Sequence, residues 1–169
     1  LFKETRCDWA VIEAGLGGKL DATNVIQPKF SVITSNELEH TAILGDTIEK
    51  ISREKAGIIK FNTPVVIGNL KDQAEKSIRL TAKSMNAEIY SLKDEIDSLS
   101  TKTLIDGELS TIFWKHKKSL PLFLQLRGNF QAENAALAIL SLEIVGEFDE
   151  KVTVNAFENA FIPGRMELL

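Results

Sequence analysis

Short, uninterrupted apolar runs set apart by helical patterns constrain this chain more than any other feature. Trp9-Ala10-Val11-Ile12, Phe30-Ser31-Val32-Ile33-Thr34 and Pro64-Val65-Val66-Ile67-Gly68 are too short for buried helices and lack the alternation of half-exposed strands. Such runs suit strands covered on both faces. Pro64 stands at the start of its run, where no ladder donor is needed. Residues 87–92 offer a fourth strand. Helical patterns at 46–59 and 71–85 separate these runs. Strand–helix–strand alternation of this kind specifies an α/β domain with a mostly parallel sheet flanked by helices.

The second half reads as a smaller β-rich segment followed by helices. Residues 103–109 and 110–114 form a hairpin around the Asp106-Gly107 turn signal. Residues 119–126 add a strand. A long helix is expected at 130–145, closed by Gly146, and another at 151–160. Pro163-Gly164 then breaks the chain. This divides it into one domain at 1–162 and a linker at 163–169 leading toward a further domain. Residue 1 is Leu, and the tail Met166-Glu167-Leu168-Leu169 is apolar. Both ends lead to the expectation of an internal piece of a longer protein.

Charge excludes some roles. The chain has 169 residues, with 20 Lys and Arg against 24 Asp and Glu, a net charge of −4. Coating a nucleic acid duplex or a membrane surface has no electrostatic support in that balance. No apolar run reaches the length of a membrane span. The single cysteine, Cys7, excludes an internal disulfide and suits a reducing, cytoplasmic compartment.

Four segments carry candidate chemistry. Glu13 ends an apolar run and begins Glu13-Ala14-Gly15-Leu16-Gly17-Gly18. Ligands of open α/β sheets gather at the carboxyl ends of strands, and a carboxylate there suits a hard divalent cation beside phosphates. A Glu that merely caps a turn fits the pattern equally well. His40 also lies beyond a strand end, as a metal ligand or a loop hydrogen-bonding group. On the helix at 46–59, Asp46 and Glu49 resemble a capping box. Ile48, Ile51 and Ile58 trace an apolar stripe, and Lys55 falls on it, seven after Ile48 and three before Ile58. An inward lysine has a depressed pKa; its neutral amine can add carbon dioxide, giving a carbamate that ligates a metal. A lysine that snorkels to water is the alternative. Finally, Asn129 is a reasonable N-cap for a helix on which Gln131 and Asn134 share one face. Two amides beside small residues could read a nucleobase edge, or simply reflect the polarity of a helix start. Arg165 is either a phosphate-reaching arginine or an exposed linker charge.

Together these segments resemble the folylpolyglutamate synthase/dihydrofolate synthase family of the Mur ligase superfamily. The matching blocks are Glu13-Ala-Gly-Leu-Gly-Gly-Lys-Leu-Asp-Ala-Thr-Asn24, His40-Thr41 with Leu44-Gly45-Asp46-Thr47, Glu54-Lys55-Ala56-Gly57-Ile58-Ile59-Lys60, Pro64-Val65-Val66, Gly128 with Gln131 and Asn134-Ala135, and Pro163-Gly164-Arg165. They run in family order along nearly the whole chain. Three positions depart from the family pattern: Lys19 where Arg is usual, Glu39 where Asp is usual, and Phe130 where His is usual.

The resemblance implies the Mur ligase central domain. It implies an enzyme that uses ATP and Mg2+ to activate a carboxylate of dihydropteroate or folate as an acyl phosphate, which the amine of L-glutamate then attacks. It implies Glu13, His40 and Lys55 as metal-site residues, with Lys55 carbamylated. It places Gln131 and Asn134 near the adenine and Arg165 at the ATP phosphates; Lys55, His40 and Arg165 serve the reaction itself. The loop at 19–24 falls close to the active site. It also implies an upstream phosphate-binding loop and a C-terminal domain, neither of them in this sequence, so the chain alone is expected to be inactive. Small-molecule substrates, no nucleic acid, no membrane and a monomer complete the expectation. The alternatives are another Mur-type ligase (cell-wall or cyanophycin-type) and a non-catalytic nucleotide-binding module.

Overall fold

A computed structural model of the chain describes residues 4–35, 47–128 and 130–162. Within them lie two small sheets and the helices that cover them. The first sheet is parallel. It comprises β1 (Ser31–Ile33), β2 (Val65–Ile67) and β3 (Ile89–Ser91) in the order β1-β2-β3, with Ser31 opposite Val65 and Val65 opposite Ile89. Two helices form the crossovers, α1 (Ile48–Ala56) and α2 (Asp72–Ser84). The second sheet is an antiparallel meander of β4 (Ile96–Thr103), β5 (Glu108–Trp114) and β6 (Leu120–Leu124), reached through the short helix α3 (Leu92–Glu95). Helices α4 (Gln131–Ile144) and α5 (Glu150–Asn159) follow.

Alternation along β2 divides the core in two. Val65 and Ile67 face a cluster with Ile33, Ala56, Ile59, Ala74 and Ile78, so α1 and α2 cover that side. Val66 faces the other way, into a cluster with Ile112, Leu122, Ala136, Leu137 and Ile139. Helix α4 is therefore apolar around most of its circumference, because it packs between the parallel sheet and the meander. The α/β class with a parallel sheet and a smaller β-rich segment is thus present. The side chain of Thr47, rather than a box of Asp46 and Glu49, caps α1 by accepting the N–H of Lys50; Asp46 lies outside the described residues. Gly146 closes α4 at φ +75°.

The first apolar run departs from expectation. Trp9–Ile12 forms no strand, and Trp9, Val11 and Ile12 are 48%, 99% and 39% exposed. A strand buried on both faces needs ladder partners and covering helices. None of the described elements supplies them to this segment, so its apolar side chains stay in contact with solvent. The meander differs in extent. Its first strand begins at Ile96, seven residues before the expected start, with mostly polar side chains on an exposed face.

Candidate functional site at the carboxyl edge of the parallel sheet

The two most distinctive sequence blocks form one structural unit. Asp21 caps a 3-10 turn at Ala22–Val25. Its carboxylate also accepts the backbone N–H groups of Gly15 at 2.9 Å, Leu16 at 3.2 Å and Thr23 at 2.9 Å, and the Thr23 hydroxyl at 2.5 Å. These donors stabilise the charged form. The Thr23 hydroxyl contributes most, followed by the Thr23 and Leu16 N–H groups, and together they lower the Asp21 pKa from 3.8 to about 2. The loop after Glu13 is thus coiled around one carboxylate.

This coiled loop docks on the C-terminal turn of α1. The N–H of Lys19 donates to the Glu54 carbonyl at 2.9 Å. The Asn24 amide bridges the two segments, donating to the carbonyls of Lys19 at 3.0 Å and Gly57 at 3.1 Å. The Lys60 ammonium donates to the Asn24 carbonyl at 2.6 Å. Glycine is required at the contact itself. A Cβ on Gly18 would come within 2.8 Å of the Glu54 carbonyl oxygen, and one on Gly57 within 2.4 Å of Lys19 Cα. Gly17 adopts φ +68°, which lets the loop turn between the two.

Lys55 sits on this same helix end. It is half-buried, and its ammonium donates to the Ser35 carbonyl at 2.8 Å, just past the carboxyl end of β1. The stripe of Ile48, Ile51 and Ile58 therefore does turn Lys55 toward the sheet edge, where the amine meets a strand-end carbonyl. Glu13 is exposed at the start of the docked loop. His40, five residues after Ser35, lies outside the described residues, as does Arg165. Among the described residues no three His, Cys, Asp or Glu side chains gather as a metal site. The donor types that the sequence singles out, a carboxylate, an imidazole and a carbamate oxygen, suit a hard divalent cation. In the described portion the loop that follows Glu13 is held against the helix end that carries Lys55.

A second region lies at the start of α4. Gln131 is buried, Asn134 is exposed, and the Asn134 amide donates to Gln131 Oε1 at 3.2 Å. The two amides are therefore adjacent and fixed relative to each other. Asn129 lies outside the described residues. Phe130, which precedes Gln131, is exposed.

Two residues of these regions were not singled out from sequence. Asp21 could have been found from Asp-x-Thr after a glycine pair, a pattern that favours an Asx turn. Glu108, whose carboxylate accepts the N–H of Gly128 just ahead of α4, could have been found from the alternation of β5, in which Glu108, Ser110, Ile112 and Trp114 point inward.

Residues 1–142 match the Mur ligase middle domain. The chain is 36% identical over 169 residues to a dihydrofolate synthase/folylpolyglutamate synthase of Bacillus subtilis, covering 97% of this chain and 39% of the relative. The apo form of a folylpolyglutamate synthase from L. casei superimposes with a TM-score of 0.91 at 31% identity, over 98% of this chain and 42% of that one. A solved FPGS–AMPPCP–folate complex gives the same TM-score of 0.91 at 31% identity, over 98% of this chain and 42% of that one. The chain spans about two fifths of the length of these relatives.

Proposed function

The chain belongs to the Mur ligase middle domain family, and from that premise we propose that it forms the central part of an ATP-dependent ligase adding L-glutamate to dihydropteroate, folate or both. The observation that carries this reading is the contact of Lys55 with the Ser35 carbonyl, on a helix end to which the Glu13 loop is itself docked. A metal-site lysine and a metal-site carboxylate would be needed together at that edge.

In this reading a carboxylate oxygen of the pteroate or folate attacks the γ-phosphorus of ATP and releases ADP. The amine of glutamate then attacks the acyl carbon, expels phosphate and loses a proton as the amide forms. Mg2+, when bound, offsets phosphate charge. Glu13, His40 and Lys55 would hold it. For Lys55 this requires that the ammonium release the Ser35 carbonyl, lose one proton to expose the amine lone pair, bond to the carbon of carbon dioxide and lose a second N–H proton to solvent, giving an anionic carbamate. Gln131 and Asn134 would meet the adenine edge through their amides, and Arg165 would reach the phosphates. Holding the reactants in register supplies most of the acceleration in phosphoryl and acyl transfer of this kind. The locked contact between loop and helix serves that purpose. Residues 1–162 would form the central domain and 163–169 the way into a further one. The cytoplasm is the expected compartment. Among the described residues no helix is long and apolar enough to cross a membrane.

The test is product formation by the full-length gene product supplied with ATP, Mg2+, labelled L-glutamate and either dihydropteroate or folate. A new amide detected by mass, formed together with ADP, is the expected result. ATP turnover that needs a different carboxylate would move the chain to another Mur-type ligase. Absence of any ATP-dependent amide product would overturn the enzymatic reading.

A further inference from the structure

The meander contributes a buried acid that the reaction scheme does not use. Glu108 opens β5 with its side chain pointing inward and is 2% exposed. Its Oε1 accepts the backbone N–H of Gly128 at 2.8 Å, while its Oε2 is buried without a hydrogen-bond partner. A carboxylate oxygen left in this state costs stability relative to an apolar side chain. Exceptions to hydrogen-bond satisfaction of this kind concentrate where a group has a task beyond packing.

The task follows from what Gly128 does next. Gly128 adopts φ +118°, a conformation that side chains disfavour, and its carbonyl accepts the N–H of Gln131 at 2.8 Å in the first turn of α4. The Glu108 carboxylate thus holds the peptide N–H entering Gly128, and the carbonyl of the next peptide unit, leaving Gly128, begins the helix carrying Gln131 and Asn134. The hairpin that bears Glu108 is itself anchored. Arg127 donates to the Ile105 carbonyl in the β4–β5 turn, and a Cβ on Gly107 would come within 2.5 Å of the Leu124 carbonyl oxygen. The second sheet therefore transmits a fixed position to the start of α4.

We propose that Glu108 is a positioning residue for nucleotide binding: by holding the Gly128 N–H it sets the orientation of Gln131 and Asn134 toward the base. This rests on the reading of those two amides as the adenine contact. Shape and charge can be separated at this position. Glu108→Asp keeps the charge but is one methylene too short to reach Gly128. Glu108→Gln keeps the reach and an accepting oxygen but loses the charge.

The experiment measures AMPPCP affinity by calorimetry, together with kcat and KM for ATP and for the pteridine substrate, in the full-length gene product. E108D is expected to weaken AMPPCP and raise the KM for ATP about tenfold, with kcat and the pteridine KM within twofold of the parent. E108Q is expected to stay within threefold of the parent in every parameter. Parent-like nucleotide binding by E108D overturns the proposal, as does an equal loss in E108Q. An E108D protein that does not fold, or that loses all parameters together, shows a purely structural role and also overturns it. A parent protein that fails to bind AMPPCP overturns this proposal and the nucleotide reading together, whereas a parent that binds while E108D is unaffected overturns this proposal alone.

Discussion

Gly57 lies against Lys19 so closely that a Cβ at Gly57 would come within 2.4 Å of the Lys19 Cα and Cβ atoms. Both partners are backbone or near-backbone atoms, so neither can swing aside. Gly57→Ala should therefore push the Glu13 loop off α1. Overpacking of this type costs about 1–3 kcal/mol. Urea unfolding of the Ala variant should show a lowered midpoint at unchanged slope, and ligase activity should fall further than stability alone accounts for.

Asp21 gives the loop an acid sensitivity. Its pKa is lowered from 3.8 unfolded to about 2 folded, chiefly through the Thr23 hydroxyl and the Thr23 and Leu16 N–H groups. A depressed folded pKa means that the stabilising contribution is complete above about pH 4 and is lost as pH falls toward 2. Asp21→Asn should therefore lower the thermal midpoint at pH 7, and the gap between variant and parent should narrow below pH 4. A gap independent of pH would show that the charge of Asp21 is not what orders the loop.

Glu75 on α2 is the buried centre of a charge cluster. Its Oε1 accepts from Arg79 Nη2 at 2.7 Å and its Oε2 from Lys93 at 3.2 Å, which ties α2 to α3. Removing one partner of a buried pair is costly because the other is left unpaired. Here the Arg79 and Lys93 side chains remain about one third exposed and also reach Asp94 and Asp72. They can rehydrate and re-pair, so Glu75→Ala should cost only about 1–2 kcal/mol. Chemical denaturation of the variant measures this directly.

Lys55→Ala in the full-length gene product should abolish most glutamate ligation while leaving the fold intact, since Lys55 is only half-buried and its amine reaches the Ser35 carbonyl past the end of β1 rather than the core. If a carbamate forms on Lys55, small carboxylates added to the Ala variant should restore part of the rate by occupying the vacated place. Unchanged turnover in the variant would remove Lys55 from the reaction.

The parallel sheet was legible because its strands are apolar on both faces, and both faces of β2 are indeed covered. The same signal misled at Trp9–Ile12, because an apolar run states a need for cover and cannot itself supply the neighbours. The start of β4 was missed for the opposite reason. Residues 97–103 are largely polar and lie on an exposed face, so no hydrophobic pattern marks them. At the site, helical periodicity was enough to turn Lys55 toward the sheet, since position on a stripe follows from spacing alone. The bridging amide of Asn24 was hidden because its partners are backbone carbonyls, which a sequence does not display, whereas the Asp21 carboxylate is partly readable through the Thr23 hydroxyl two residues on.

We propose that Glu13, His40 and Lys55 converge on one cation at the carboxyl edge of the parallel sheet. The most direct measurement is a crystal of the full-length gene product grown with AMPPCP and Mn2+, with the anomalous signal located. A single Mn2+ peak in contact with Glu13 and His40, with density extending beyond Lys55 Nζ toward it, is the expected result. A peak bound elsewhere, with these three side chains directed to separate regions, would contradict it.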